Sequence, residues 1–399
     1  MLWEAPVDVT YRSIIADLAR KATVLHPLAV KNWQTRASQL LDVDETEQAI
    51  AVLAEGLGKL PGEPALHLLQ AFAYHKAGRS EVAREILCRA PAIANENKQL
   101  TIFRLELLIL TRAAEDSAKI AGELIELDPT NGEALAALEK VSKKARNPEL
   151  MIPLCQTALA HAPGHTRARH QLALAYMMLR RTEEARQLIN LHQFVEVVDL
   201  AKPGGYANDA AFEKALAHEI TCNPTLKPDP SGTATKNGLQ TSRFPQPHDE
   251  VSAAALKLIR SAIDSFENRL PNGLDHPFIK NRPERAKLQA WAVVYSGEGR
   301  QSSHIHPDGW LSGVYYVSAP GSQRDGSRSG NLVLGAVEVE GSQVDPPWGT
   351  RDVLPAPGRL VMFPSYVPHA VIPTQSTEPR ICIAFDVVPA RLRGPRADR

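Results

Sequence analysis

Cysteine is scarce: the chain has four thiols in 399 residues, Cys88, Cys155, Cys222 and Cys382, far apart and without a CxxC pair or other ligand spacing. This argues against a disulfide framework or a cysteine-held metal, and fits reduced thiols in a cytoplasmic protein. Net charge is also lacking, since 45 Lys and Arg offset 45 Asp and Glu. The broad electrostatic ground for nucleic acid or an anionic membrane surface is therefore missing, and neither partner is expected. The opening MLWEAPVDVTYRS has no basic region ahead of an apolar core, so no signal peptide is expected. No apolar run is long enough to span a bilayer. No Ser/His/Asp constellation or phosphate-binding Gly loop stands out.

What is present falls into two halves. From about Val9 to Val198 the chain is rich in Ala, Leu, Glu, Arg and Gln, all good helix formers. Pro27 and Pro61 are 34 residues apart, and so are Pro129 and Pro163. That is the period of the tetratricopeptide (TPR) helix-turn-helix unit. Ala73-Tyr74 leading to Gly78 and Ala83, and Ala175-Tyr176 leading to Ala185, supply small residues where paired helices approach closely. The unit around Pro91 and Asn95 is out of phase, which predicts an irregular array. Such an array offers a groove for a protein or peptide partner, or serves as a spacer or dimerisation surface. His67, His161, His165 and His170 have no matched partners in sequence and read as ordinary helix or loop residues.

Lys202-Pro203-Gly204-Gly205 breaks the helical pattern, a helix is expected over Asn208–Ile220, and Asn223–Gln246 reads as a loop or extended arm. An amphipathic helix follows over Glu250–Glu267. Beyond Arg285 the periodicity becomes that of strands: Gln289–Tyr295 ending in a turn at Ser296–Gly299, then Leu311–Val317, Asn331–Leu334, Arg359–Phe363 and Ile381–Val387. Many short strands without intervening helices predict an antiparallel sandwich or jelly roll, whose mouth is a natural small-molecule site. The expected division is a helical repeat domain over 1–200, a linker with a short helix over 201–249 and a strand-rich domain over 250–399.

Candidate ligands cluster in the last domain. His304 and His306 share one strand face by the two-residue period, so both can reach one ion. His369 is a distant third, and Asp308, in His306-Pro307-Asp308, is an alternative carboxylate ligand.

Three blocks, HIHPDGWLSGVYYV, PGRLVMFPSYVPHAV and RICIAFDVVP, resemble the 2OG-Fe(II) oxygenase domains that bacteria fuse behind TPR repeats. The resemblance covers roughly the last quarter of the chain. It implies an α+β multidomain protein, with a TPR-like solenoid before a double-stranded β-helix (jelly-roll) domain. It further implies an Fe(II)- and 2-oxoglutarate-dependent dioxygenase acting on a protein or peptide side chain or a small molecule. Relatives keep the His-x-His-Pro frame while the position of Asp308 varies, which favours His304 with His306 and His369. Arg380, eleven residues after His369, matches the offset of the 2-oxoglutarate-binding Arg. Tyr315 and Tyr316 alternate across their strand and cannot both face the site. One of them, Tyr315 or Tyr316, or else Ser312, is a candidate to bind the cosubstrate, and Trp310 and Tyr366 are candidates to line a substrate pocket. Two other readings stay open: a cupin-like metal dioxygenase or isomerase that does not use 2-oxoglutarate, and a TPR interaction protein without catalysis.

Overall fold

A computed structural model describes residues 2–3, 9–42, 44–89, 98–111, 114–228, 234–271, 273–320, 328–339 and 342–390. Cα packing divides the chain after His161, with the N-terminal strand counted in the C-terminal unit. Pro91 and Asn95 lie outside the described residues.

The first unit is made of α1 (Val9–Leu25), α2 (Val30–Asp42), α3 (Thr46–Lys59), α4 (Pro64–Lys76), α5 (Ser80–Arg89), α6 (Lys98–Thr111), α7 (Ala114–Leu127), α8 (Gly132–Ala145) and α9 (Met151–His161). The repeat prolines Pro27, Pro61 and Pro129 each sit in the turn after a helix, where a missing N–H costs nothing. Pro64 occupies the first turn of α4, and Gly78 closes that helix at φ +75°, a conformation only glycine adopts cheaply. Trp33, Ala37, Ala49, Leu53, Leu66 and Ala73 form one buried cluster. Its small residues let helices approach, as the repeat pattern predicts.

The second unit begins with α10 (Thr166–Met178) and α11 (Thr182–Leu188). These helices lie in the sequence half expected to be repeat, yet they pack in the unit that holds the sheet. The sheet's strands are β1 (Leu2–Trp3), β2 (Glu196–Asp199), β3 (Leu226–Pro228), β4 (Thr235–Thr241), β5 (Arg285–His304), β6 (Leu311–Ser318), β7 (Leu332–Leu334), and, past a separate β8–β9 hairpin (Val337–Val339, Ser342–Val344), β10 (Arg351–Val353), β11 (Arg359–Pro364), β12 (His369–Val371) and β13 (Ser376–Pro389). Their order is β10-β7-β12-β5-β13-β6-β11-β2, with β3 and β4 added beside β5. All these neighbours are antiparallel; β1 alone pairs parallel, with β5. The result is a curled, strand-rich sheet of the jelly-roll kind, preceded by helical repeats.

Three departures from the sequence expectation have local causes. Val197 and Val198 carry β-branched side chains and pair with β11 as β2, inside the stretch expected to be helical. The described part of the 223–246 arm pairs as β3 and β4, because Gly238 lets β4 pass against the Tyr295 ring on β5. The turn expected at Ser296–Gly299 is instead an irregularity inside the long β5, where Gly297 takes φ +54° and the register with β13 shifts.

Two further helices, α12 (Asp209–Thr221) and α13 (Glu250–Arg269), match their predicted positions closely. Glu219 of α12 accepts hydrogen bonds from the N–H groups of Val251 and Ser252 at 3.0 and 2.8 Å, satisfying orphan donors at the start of α13.

Gly313 on β6 faces Phe385 of β13 so closely that an added Cβ would overlap the ring, and would lie 2.6 Å from the Val361 carbonyl. Gly313→Ala is therefore expected to destabilise the sheet by ~1–3 kcal/mol or more. Chemical denaturation checks this, and an unchanged midpoint would contradict the packing described.

Candidate metal centre

Strand register builds the centre. His369 on β12 is the direct cross-strand partner of His304, the last residue of β5. His306 follows in a turn closed by the Gly309 N–H on the His306 carbonyl at 3.2 Å. The His306 N–H donates to the Ser365 carbonyl at 3.1 Å, tying this turn to the end of β11. One ligand atom from each of His304, His306 and His369 lies within 4.8 Å of the others.

The hydrogen bonds fix the tautomers. His304 Nδ1 lies 2.8 Å from the Ser302 carbonyl, His369 Nδ1 3.1 Å from the Val367 carbonyl and His306 Nδ1 2.8 Å from Asp386 Oδ2. Carbonyls only accept, so Nδ1 of His304 and His369 carries the proton and Nε2 keeps its lone pair. His306 has the same arrangement with a carboxylate. Its Nε2 is 3.2 Å from Nε2 of His369, a contact between two lone pairs that a shared cation converts into attraction. Burial, then the neighbouring imidazoles, holds His369 well below its usual pKa. Burial and then His306 push His304 down to about 4. Both are neutral near pH 7, the form that ligates metal. Phe363 packs edge-on against His369 and Trp291 stacks on His306, with centroids 4.7 and 5.6 Å apart.

Asp308 is exposed and stands outside this cluster. The turn that brings His306 inward carries the residue two further on to the surface. The structure thus assembles the three-histidine alternative, not the His306–Asp308 one.

A cavity lined by His306 and His369 reaches Arg380. Alternation along β13 turns Arg380, Cys382 and Ala384 to this one face. Arg380 is 1% exposed. Its Nη2 donates to the Tyr316 hydroxyl at 3.3 Å, and the guanidinium lies 4.9 and 5.3 Å from the ring centroids of Tyr316 and Tyr295. Its Nε has no hydrogen-bond partner, and among the described residues no carboxylate forms an ion pair with it. A buried cation with a free donor and no anion is a receptor for one. The donor set thus fits a divalent metal at one end of the cavity and a carboxylate at the other.

The remaining candidates sort by strand parity and packing. Ser312 lines the cavity. Tyr315 has the opposite parity and points away, where burial and then Glu213 and Asp209 of α12 push its hydroxyl up to about 12. Tyr316, four residues from Ser312, takes the position at Arg380. Trp310 and Tyr366 are buried outside the cavity lining. The Trp310 indole donates to the Phe278 carbonyl at 2.8 Å and its ring stacks on Phe278. Tyr366 lies under the Arg169 guanidinium of α10, 5.4 Å from the ring centroid. Both aromatics pack the walls behind the site.

Residues 289–386 match the family model described as "Putative 2OG-Fe(II) oxygenase", and residues 144–194 match a tetratricopeptide repeat model. The strand-rich part of the chain is thus similar to 2OG-Fe(II) oxygenase domains, and the end of its helical part to a TPR repeat. No curated protein matches it. Similar solved structures include a Pseudomonas putida prolyl-4-hydroxylase, 19% identical over 50% of this chain and 94% of that one, at TM-score 0.35. A Trichoplax adhaerens prolyl hydroxylase in complex with a hypoxia inducible factor peptide fragment is 14% identical over 55% and 90%, at 0.35. YrrB, a TPR protein with an unusual peptide-binding site, is 16% identical over 44% and 95%, at 0.36. At TM-scores this low the fold rests on the strand pairing itself.

In this strand-rich unit, sequence reasoning passed over Trp291 and Asp386 and left the choice between Tyr315 and Tyr316 open. Asp386 was legible in principle, since it shares the parity of Arg380 and is the one acid in the apolar run Ile381–Val388.

His304→Ala and His369→Ala are each expected to weaken Co(II) binding by about 10²-fold or more, from the loss of one of three ligands. Asp308→Ala should leave affinity unchanged. A calorimetric titration checks both, and an Asp308 effect equal to the histidine effects would contradict the assignment.

Proposed function

We propose that the chain is an Fe(II)- and 2-oxoglutarate-dependent dioxygenase that hydroxylates a protein or peptide side chain or a small molecule, with the helical repeats docking the partner. The observation that carries this reading is Arg380: a buried guanidinium without an anion among the described residues, in a cavity also lined by His306 and His369 of the three-histidine cluster. His304, His306 and His369 would hold the ion through Nε2, and Arg380 with the Tyr316 hydroxyl would hold the distal carboxylate of the 2-oxo acid. When bound, iron and 2-oxoglutarate supply oxygen activation, with the 2-oxo acid converted to succinate and CO2.

The chain's own part is orientation and exclusion of water. The Nδ1 hydrogen bonds orient the three imidazoles so that each Nε2 is the atom free to meet an ion. The planar guanidinium between two aromatic rings fixes where a carboxylate sits. Trp291, Val293, Leu332, Phe363 and Val371 line the cavity with apolar surface, which strengthens each charge interaction inside it. No general base is needed among these residues. The TPR repeat is the kind of element that presents a concave peptide-binding face, which supports a protein or peptide partner.

Three histidines also suit metal dioxygenases that use no 2-oxo acid, and Arg380 separates the two cases. The wild type should form succinate from 2-oxoglutarate only with added Fe(II). Arg380→Ala should raise the KM for 2-oxoglutarate by about 10²-fold, the effect of removing one side of a buried charge pair. Tyr316→Phe should raise it ~3–10-fold, as for one neutral hydrogen bond. Turnover undiminished by Arg380→Ala would favour the metal enzyme that does not use 2-oxoglutarate.

A further inference from the structure

Among the described residues the ligand face holds three imidazoles and no carboxylate, so no anionic side chain in direct reach of the ion offsets its charge. One residue behind it does carry charge. Asp386 lies on β13 opposite Ser312 of β6. Its Oδ2 accepts from His306 Nδ1 at 2.8 Å, and its Oδ1 accepts from the Ser312 hydroxyl at 2.6 Å. Ser312 spends its proton there, so at 2.7 Å it accepts from Ser365. Both oxygens of Asp386 are therefore acceptors, and the group is an anion clamped by a buried Ser365–Ser312 relay. The clamp leaves little room: an added Cβ at Gly309 would overlap the Ser365 hydroxyl.

We propose that Asp386 is a positioning residue that supplies, through the His306 imidazole, the negative charge a directly ligating carboxylate would otherwise give to the metal face. The inference rests on the three-histidine metal reading above. Charge balance supports it. A ferrous ion and Arg380 together bring three positive charges, and a bound 2-oxo dicarboxylate brings two negative ones. Asp386 brings the third and leaves the buried site neutral, as low-dielectric surroundings demand. Polarising the His306 Nδ1–H also makes Nε2 a stronger donor.

The test is calorimetric titration of the full chain with Co(II), and then of the Co(II)-saturated chain with 2-oxoglutarate. Asp386→Asn keeps an acceptor for His306 and removes the charge. It should weaken Co(II) binding by about 10–100-fold, while 2-oxoglutarate binds the Co(II)-saturated variant at least as tightly as wild type, because a negative charge behind His306 has been removed. That opposite movement is what a merely structural role would not give. Unchanged Co(II) affinity overturns the proposal, and so does a parallel loss of both affinities with a lowered unfolding midpoint. Ser312→Ala keeps the carboxylate and removes one of its hydrogen bonds, which keeps the question decidable if the Asn variant does not fold. Co(II) affinity within about threefold of wild type, the scale of one weak hydrogen bond, supports charge as the agent; a 10–100-fold loss overturns it. Wild type that binds no Co(II) overturns the metal reading and this inference together. Wild type that binds Co(II) but not 2-oxoglutarate overturns only the cosubstrate, and the Asp386 effect on Co(II) still decides the proposal.

Discussion

Arg380 is buried to 1% exposure in a cavity with no acidic side chain among its described lining residues. A cation in such surroundings is costly unless something negative meets it. Its hydroxyl and thiol contacts, and the two tyrosine rings around it, hold the guanidinium without neutralising it. The rest of the site follows from that unmet charge: an anion must enter for the cavity to be comfortable. Under the proposed function, the imidazoles at the other end hold the metal which that anion would chelate.

The strand pairing makes this arrangement geometrically cheap. β13 sits between β5 and β6 and presents four alternate residues, Arg380, Cys382, Ala384 and Asp386, to one side. A guanidinium that can receive an anion and a carboxylate therefore sit six residues apart on one strand. The intervening Ile381, Ile383 and Phe385 are buried on the other face. β12 adds His369 opposite His304 by register alone. α10 contributes to this unit as well, since the Thr166 hydroxyl donates to the Gly309 carbonyl at 3.0 Å in the turn that follows His306. A helix at the end of the repeat pattern thus buttresses the loop that carries a candidate ligand.

Much of this was legible in the sequence, for physical reasons that differ by residue. The repeat prolines and small alanines report helix packing locally, so the helical half was readable without tertiary knowledge. The histidines were readable because a two-residue spacing on a strand forces a shared face. The choice between His304 and Asp308 was not readable from spacing, because it depends on a turn whose closure involves Ser365, far away in the chain. Strand parity showed that Tyr315 and Tyr316 face opposite sides but not which side is the cavity; Ser312 and Tyr316 share one parity, and Ser312 lines the cavity. Trp310 and Tyr366 carry no mark in sequence that separates a pocket wall from core packing. Their partners Phe278 and Arg169 come from a short helix and from α10. The arm before α13 read as a loop by composition, yet the open edge of β5 recruits its residues into strands.

The most direct test of the central claim is anaerobic absorption spectroscopy of the full chain with Fe(II) and 2-oxoglutarate added separately and together. Chelation of ferrous iron by a 2-oxo acid produces a visible metal-to-ligand charge-transfer band that neither component gives alone. The account predicts that this band appears only with both present, saturates at one equivalent of each and is not produced when succinate replaces 2-oxoglutarate. A chain that binds iron stoichiometrically and shows no such band with saturating 2-oxoglutarate would contradict it.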